Sequence, residues 1–333
     1  MIEKTQEVAA MTQHRLIAIG EALIDFIPDK TGCDFRDITA FSPAVGGAPA
    51  NVCAAFARLG GSARLLTQLG DDPFGHKILS ELTDAGIDTG CICMTEQAHT
   101  ALAFVTLDAD GNREFSFYRD PSADMLLQPE QLQDTWFHNC WALHFCSVCL
   151  GDFPMRRAHT AAISMARRQG GIISFDPNLR FPLWKSRQAL YDAVWAFLPQ
   201  ADILKISDEE LPFLTGHTDI RTAAPMLFTG NVKLLIYTCG SSGAWAVTQK
   251  EAIYVPSATV HATDTTGAGD GFIGAFLWKL YSAGICREQL EALDSATLSG
   301  ALGFAHRFCA FSVCRPGAIG SYPTPEEMEA SLQ

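Results

Sequence analysis

Short apolar runs, each followed by a stretch with helical spacing, recur along this chain. That alternation limits the folds open to it more than any other feature. Arg15–Gly20, Trp141–Val148, Ile172–Phe175, Ile203–Ile206 and Leu234–Thr238 have the length and apolar character of strands buried on both faces. Ser62–Leu69 reads as a further strand. Pro49–Leu59, Pro73–Ala85, Met155–Arg168, Arg187–Phe197, Asp208–Leu214 and Arg221–Phe228 read as helices. Val52, Ala55, Phe56 and Leu59 share one face of the first, and Gly86 stops the second. Repeated strand–helix units of this kind predict an α/β fold with a mostly parallel central sheet flanked by helices.

Two stretches break the rhythm. Residues 26–45 contain no convincing helix. Residues 100–120 alternate at Ala101, Ala103 and Val105, turn at Asp108–Asn112, and resume with Phe115 and Phe117, the pattern of a hairpin. Extra β structure inside an α/β chain predicts a small sheet, either a cover over the site or a peripheral hairpin. Residues 1–14 read as a loose N-terminal extension, and 15–325 as one domain without a linker.

Composition removes several classes of function. Of 333 residues, 48% are hydrophobic and 18% charged, enough for a large core. The net charge of −13 argues against nucleic acid as a partner. No signal peptide and no membrane-spanning apolar run is visible, so the expected location is cytoplasmic. The 11 cysteines then read as reduced core thiols. Cys146 and Cys149 have CxxC spacing, but no second ligand pair completes a zinc site, and they read as a strand with its exit loop.

The segment most informative about chemistry is Asp264–Thr265–Thr266–Gly267–Ala268–Gly269–Asp270. It follows a β-like stretch, Ala258–Ala262, and precedes a helix that clusters Phe272, Ile273, Phe276, Leu277, Leu280 and Tyr281 and stops at Gly284. A Gly-Ala-Gly turn at a helix start leaves backbone N–H groups free for an anion, and the helix dipole adds favourable potential. Asp270 in the first turn is expected to be ionised and able to take a proton from an attacking hydroxyl, or simply to cap the helix. There is no Walker A motif, which excludes a P-loop kinase, and no GxGxxG follows the first strand, which ranks a dinucleotide-binding oxidoreductase last.

Asp264–Asp270 with Gly271–Phe272 resembles the C-terminal signature of the ribokinase-like (PfkB) carbohydrate kinases, and Gly46–Gly47–Ala48–Pro49–Ala50–Asn51 resembles their N-terminal signature. The resemblance spans about residues 15–325. Phe117–Asp124, Asp176–Arg180 with Leu183–Trp184, and Lys205–Glu210 resemble fructokinase segments. The resemblance implies a ribokinase-like three-layer fold with a β-sheet lid from about 26–45 and 98–120. It implies ATP-dependent phosphorylation of a sugar, D-fructose first, in a homodimer.

The same resemblance implies roles. Asp270 is the base, and Gly267, Ala268 and Gly269 form the anion hole. Asp25, Gly46, Gly47, Asn51 and Arg180 hold the sugar; read alone, Asp25 is equally a strand-end turn residue, and Arg180 a surface arginine in a Pro-rich loop. Ser207, Thr238, Gly240 and Gly243 lie along the nucleotide. Glu210 holds Mg²⁺ through water, and Ser207 stands where the family has Asn. Asp264, Thr266, Ser312, Arg315, Gly317 and Ser321 match a monovalent-cation (K⁺) site, with Asp264 also readable as a turn former. His306 falls where relatives carry an Asn beside adenine. The competing expectations are a kinase for another sugar, for aminoimidazole riboside or for 2-keto-3-deoxygluconate, and a sugar sensor without catalysis.

Overall fold

The computed structural model describes residues 14–30, 32–33, 35–107 and 113–330. The expected N-terminal extension, up to residue 13, and the expected turn at Asp108–Asn112 lie outside them. The first nine strands are β1 (Arg15–Ile19), β2 (Leu23–Pro28), β3 (Phe41–Gly46), β4 (Ala63–Leu66), β5 (Gln68–Gly70), β6 (Ile87–Asp88), β7 (Cys93–Thr95), β8 (Leu102–Leu107) and β9 (Arg113–Tyr118). The remaining six are β10 (Cys140–Cys146), β11 (Ile172–Asp176), β12 (Ile203–Ser207), β13 (Leu234–Thr238), β14 (Ala244–Val247) and β15 (Ala252–Val255). The helices are α1 (Ala48–Arg58), α2 (Pro73–Asp84), α3 (Pro154–Arg168), α4 (Arg187–Phe197), α5 (Leu211–Thr215), α6 (Ile220–Leu227), α7 (Ala268–Ser282), α8 (Ser295–Ser312) and α9 (Pro325–Ala330).

Nine strands form one sheet in the order β15-β14-β13-β12-β11-β10-β1-β4-β6. It is parallel from β6 to β13, and β14 and β15 close it as antiparallel neighbours. Side chains alternate across a strand, and the core divides accordingly. Leu16, Ala18, Ile203, Leu234 and Ile236 join the cluster that contains α1, α7 and α8. Ile17, Ile19, Leu204, Ile206 and Leu235 join the cluster that contains α3, α4, α5 and α6. A sheet buried on both faces needs apolar residues at every position, which is why its strands read as continuous apolar runs.

A second sheet has the order β3-β2-β8-β9, so the two irregular stretches of the sequence pair with each other. Its β2 and β8 run parallel, with Asp25 opposite Ala103. Three expectations are corrected. Ser62–Leu69 is two strands: β4 stays in the large sheet and β5 leaves to pair with β7. The segment 258–262 is irregular and exposed: it follows β15, the edge of the sheet, and among the described residues no strand pairs with it. The helix expected from Asp208 begins at Leu211, after a turn spanning 208–210.

Candidate active site

The cleft between the two sheets has a volume of about 810 Å³. It opens at the C-terminal ends of the parallel strands, where open α/β sheets leave backbone and loops free to meet ligands. Asp25, Gly47, Asn51, Arg180, Thr266, Gly267, Ala268, Gly269 and Asp270 all line it, so the structure gathers both glycine motifs in one place. Ser116 and Phe117 of β9 line the opposite wall.

Each glycine of the N-terminal motif has a local reason. A Cβ on Gly46 would collide with the Asp25 carboxylate, which lies over that backbone. Gly47 has φ 108°, and a Cβ there would stand 2.5 Å from the Glu21 carbonyl oxygen. This tight turn starts α1, whose first turn carries Asn51. The Asn51 side chain donates from Nδ2 to Asp270 Oδ2 at 2.9 Å, joining residues 219 apart in the chain. Among the described residues Asn51 Oδ1 is buried without a partner, an acceptor available to a hydroxyl in the cleft.

The second motif is built on a turn. Asp264 Oδ1 accepts from Thr266 N–H at 2.8 Å and from its hydroxyl at 2.6 Å, and Oδ2 accepts from Gly317 N–H at 2.8 Å. Gly267 caps α7 with φ 69°. A Cβ there would meet Ala318 and the Tyr322 hydroxyl, which donates to the Gly267 carbonyl at 2.8 Å. The loop 313–322 therefore braces the turn from behind. Asp270 sits in the first turn of α7. Its pKa is raised to about 6, chiefly by burial, with Asp176 adding to the rise and Asn51, Lys205 and Arg180 opposing it. Burial thus opposes the preference for the charged form expected at a helix start, although a carboxyl with a pKa of about 6 is still mostly ionised at neutral pH.

The remaining candidates lie outside that lining. Ser207 ends β12 and pairs with Thr238 at the end of β13. Its hydroxyl accepts from Glu210 N–H at 3.3 Å, while Glu210 Oε2 accepts from Ser207 N–H at 2.9 Å. This reciprocal Ser-x-x-Glu exchange steadies the turn before α5 and gives Ser207 a structural use in place of Asn. Glu210 Oε1 accepts from Leu179 N–H at 2.8 Å, tying that turn to the loop carrying Arg180. Gly240 and Gly243 have φ 51° and 132°, and a Cβ on Gly243 would press on the Val255 carbonyl oxygen at 2.5 Å.

His306 is buried on α8, with Nε2 against the Val255 carbonyl at 3.1 Å and its ring edge-on to Phe272. Ser312 and Ser321 donate their hydroxyls to the carbonyls of Cys309 and Ala318. Arg315 turns its guanidinium to Glu327 at 2.9 Å, leaving only its backbone for the Asp264–Gly317 region. Among the described residues no three His, Cys, Asp or Glu side chains converge as a metal set. Cys146 and Cys149 end β10 and begin its exit loop as expected, both thiols donating to Glu21, and all eleven cysteines are free.

Sequence reasoning missed Lys205, Glu21 and Asp176 as site residues. Lys205 and Glu21 line the cleft although they are buried, and Lys205 donates to Asp176 at 2.6 Å. The signal was present: a lysine inside the run Ile203–Ile206 violates the rule for a strand buried on both faces.

A glycine turn at a helix start, a carboxylate beside it and a polar cleft at the strand ends suit an enzyme that binds an anionic group and takes a proton from its substrate. The chain belongs to the pfkB family of carbohydrate kinases, whose model matches residues 13–325. It is 41% identical to the probable fructokinase-5 of Arabidopsis thaliana over 96% of this chain and 97% of that protein. Its fold is similar to that of fructokinase from Xylella fastidiosa with bound ATP, at TM-score 0.88 and 34% identity over 96% and 98% of the two chains. It is also similar to a double mutant of fructokinase from Vibrio cholerae O395 with fructose, ADP and potassium ion, at TM-score 0.84 and 32% identity over 97% and 99%.

Proposed function

We propose that this kinase transfers the γ-phosphoryl group of ATP to the 6-hydroxyl of D-fructose. The observation that carries the reading is Asp270: a carboxyl with pKa raised to about 6, held by Asn51 at the mouth of the Gly267–Gly269 turn. The relatives' fructose and ATP point to the same substrates. Asp25, Asn51 and the Gly46–Gly47 backbone would bind the sugar hydroxyls, and Arg180 would orient the sugar or face phosphate.

Asp270 would accept the hydroxyl proton as the oxygen attacks phosphorus. The N–H groups of Gly267, Ala268 and Gly269 would receive the transferring phosphoryl oxygens. Thr238, Gly240, Gly243 and Ser207 lie at the neighbouring strand ends, along the path proposed for the nucleotide. Glu210 fits water-mediated contact with Mg²⁺, since each carboxylate oxygen already accepts one backbone N–H and keeps a lone pair. When bound, Mg²⁺ would neutralise phosphate charge.

Further parts of the reading rest on the loops and the small sheet. The backbone around Asp264, Thr266, Ser312, Arg315, Gly317 and Ser321 would hold a monovalent cation that stiffens the turn from behind. The β3-β2-β8-β9 sheet would close over the sugar and exclude water. Its aromatic patch, with Phe26 stacked on Phe104 and Tyr118 65% exposed, would pair with a second copy of the chain. Eleven free thiols suit a reducing compartment, so the cytosol is the proposed setting.

The test is ADP release across a panel of sugars with the purified protein. Fructose is expected to lead. Weak fructose turnover beside strong turnover of another sugar would replace the substrate while keeping the chemistry.

A further inference from the structure

Lys205 is 6% exposed and stands in β12 between Leu204 and Ile206, both buried. It shares the strand face of Ile203, whose side chain packs in the cluster containing α7. Its ammonium reaches the end of the sheet. Nζ donates to Asp176 Oδ2 at 2.6 Å, while Asp176 Oδ1 accepts from Asn178 N–H at 3.1 Å. A Cβ on Gly269 would stand 3.2 Å from Nζ, so the ammonium lies directly against the glycine turn and lines the cleft.

A buried lysine–aspartate pair is a poor way to stabilise a fold: desolvation consumes most of the Coulomb gain, and apolar residues of similar size do as well or better. Position 205 is flanked by Ile and Leu, and a third apolar residue would extend the core. The pair instead puts a positive charge at the one place where a phosphoryl group would gather negative charge. Burial disfavours the ammonium, but Asp176, Glu210 and Asp270 outweigh it and keep Lys205 protonated.

We propose that Lys205 is a catalytic residue: its ammonium contacts an oxygen of the transferring phosphoryl group, and Asp176 holds it in place. The proposal rests on phosphoryl transfer occurring at the Gly267–Gly269 turn. Lys205 exchanges no proton. The sugar oxygen–phosphorus bond forms, the bond from phosphorus to the ADP oxygen breaks, Asp270 takes the hydroxyl proton, and Lys205 keeps all three of its own. It adds fixed charge to a turn that otherwise offers only N–H dipoles.

The experiment compares Lys205→Met, Asp176→Asn, the double variant and Asp270→Asn on the best sugar of the panel. It measures kcat, both KM values and the urea midpoint. Lys205→Met should lower kcat by about 10²–10³-fold, in line with loss of one preorganised donor, with a smaller change in KM for the sugar. It should also lower the urea midpoint, since Asp176 is left buried without its counter-ion. The double variant removes both charges and should recover the midpoint while kcat stays low.

Recovery of kcat to within a few-fold of the parent in the double variant would reduce Lys205 to a counter-ion and overturn the proposal. If Asp270→Asn is inactive while Lys205→Met is fully active, the proposal fails and the site reading stands. If both are fully active, the phosphoryl site itself has been misplaced and the proposal falls with it.

Discussion

Asp270 pits its own stability against its use. Its pKa, raised to about 6 by burial, lies above the ordinary carboxylate value, so the fold disfavours the charged form that a base requires. Two outcomes follow from the sign. Turnover should fall as pH drops through about 6, because protonation removes the base. Asp270→Asn should cost about 10²–10⁴-fold in kcat. It should also raise the melting temperature at pH 8, and that gain should shrink below pH 6, where the parent carboxyl becomes neutral. A pH–rate profile with paired melting curves reads all of this. Gly46 supports a second residue-level prediction. Gly46→Ala would displace the Asp25 carboxylate, and losing a charge-assisted hydrogen bond of roughly 1.5–3 kcal/mol should raise KM for the sugar about 10–100-fold.

Among the elements, α7 is the central one. It is apolar nearly all round, because α1 and α8 cover it on two sides and its side chains share one core cluster with residues of the large sheet. Gly274 lets α1 approach: a Cβ there would stand 2.7 Å from the Ala55 Cβ and 3.0 Å from the Val52 carbonyl oxygen. Gly274→Ala gains about 1 kcal/mol of helix propensity and meets an overpacking cost of about 1–3 kcal/mol. A net loss of about 1 kcal/mol is expected from urea unfolding.

How far the sequence discloses these elements depends on the element. The Gly267 turn and the start of α7 are legible, because glycine and periodicity point the same way. The sequence reading assigns no helix to 295–312, although Leu298, Ala301, Leu302, Ala305 and Phe308 repeat at helical spacing and Asp294 caps it. Its many small residues flatten the contrast between faces. The β14–β15 hairpin is likewise unassigned, and Lys205 is absorbed into an apolar run. The departures at Asp270 and Lys205 come from tertiary burial, which no local pattern reports.

At the scale of the whole molecule, the net charge of −13 opposes the approach of a polyphosphate. Association of ATP should therefore quicken as salt screens that repulsion, with most of the effect complete near 0.15 M, where the Debye length is about 8 Å. Stopped-flow binding at fixed Mg²⁺ and K⁺, with tetramethylammonium chloride as the added salt, measures it. A rate that falls with salt would mean that local positive groups such as Arg180 and Lys205 govern the encounter.

The Asn51–Asp270 hydrogen bond spans most of the chain, and the strands between its ends interleave. The exposed Lys250, in the turn between β14 and β15, divides the sequence so that Asn51 and Asp270 fall on different pieces. Neither piece would carry a base and its partner. Fragments separated there are expected to act as a two-part reporter: phosphorylating activity would arise only on reassembly, and its recovery would time the meeting of the two halves.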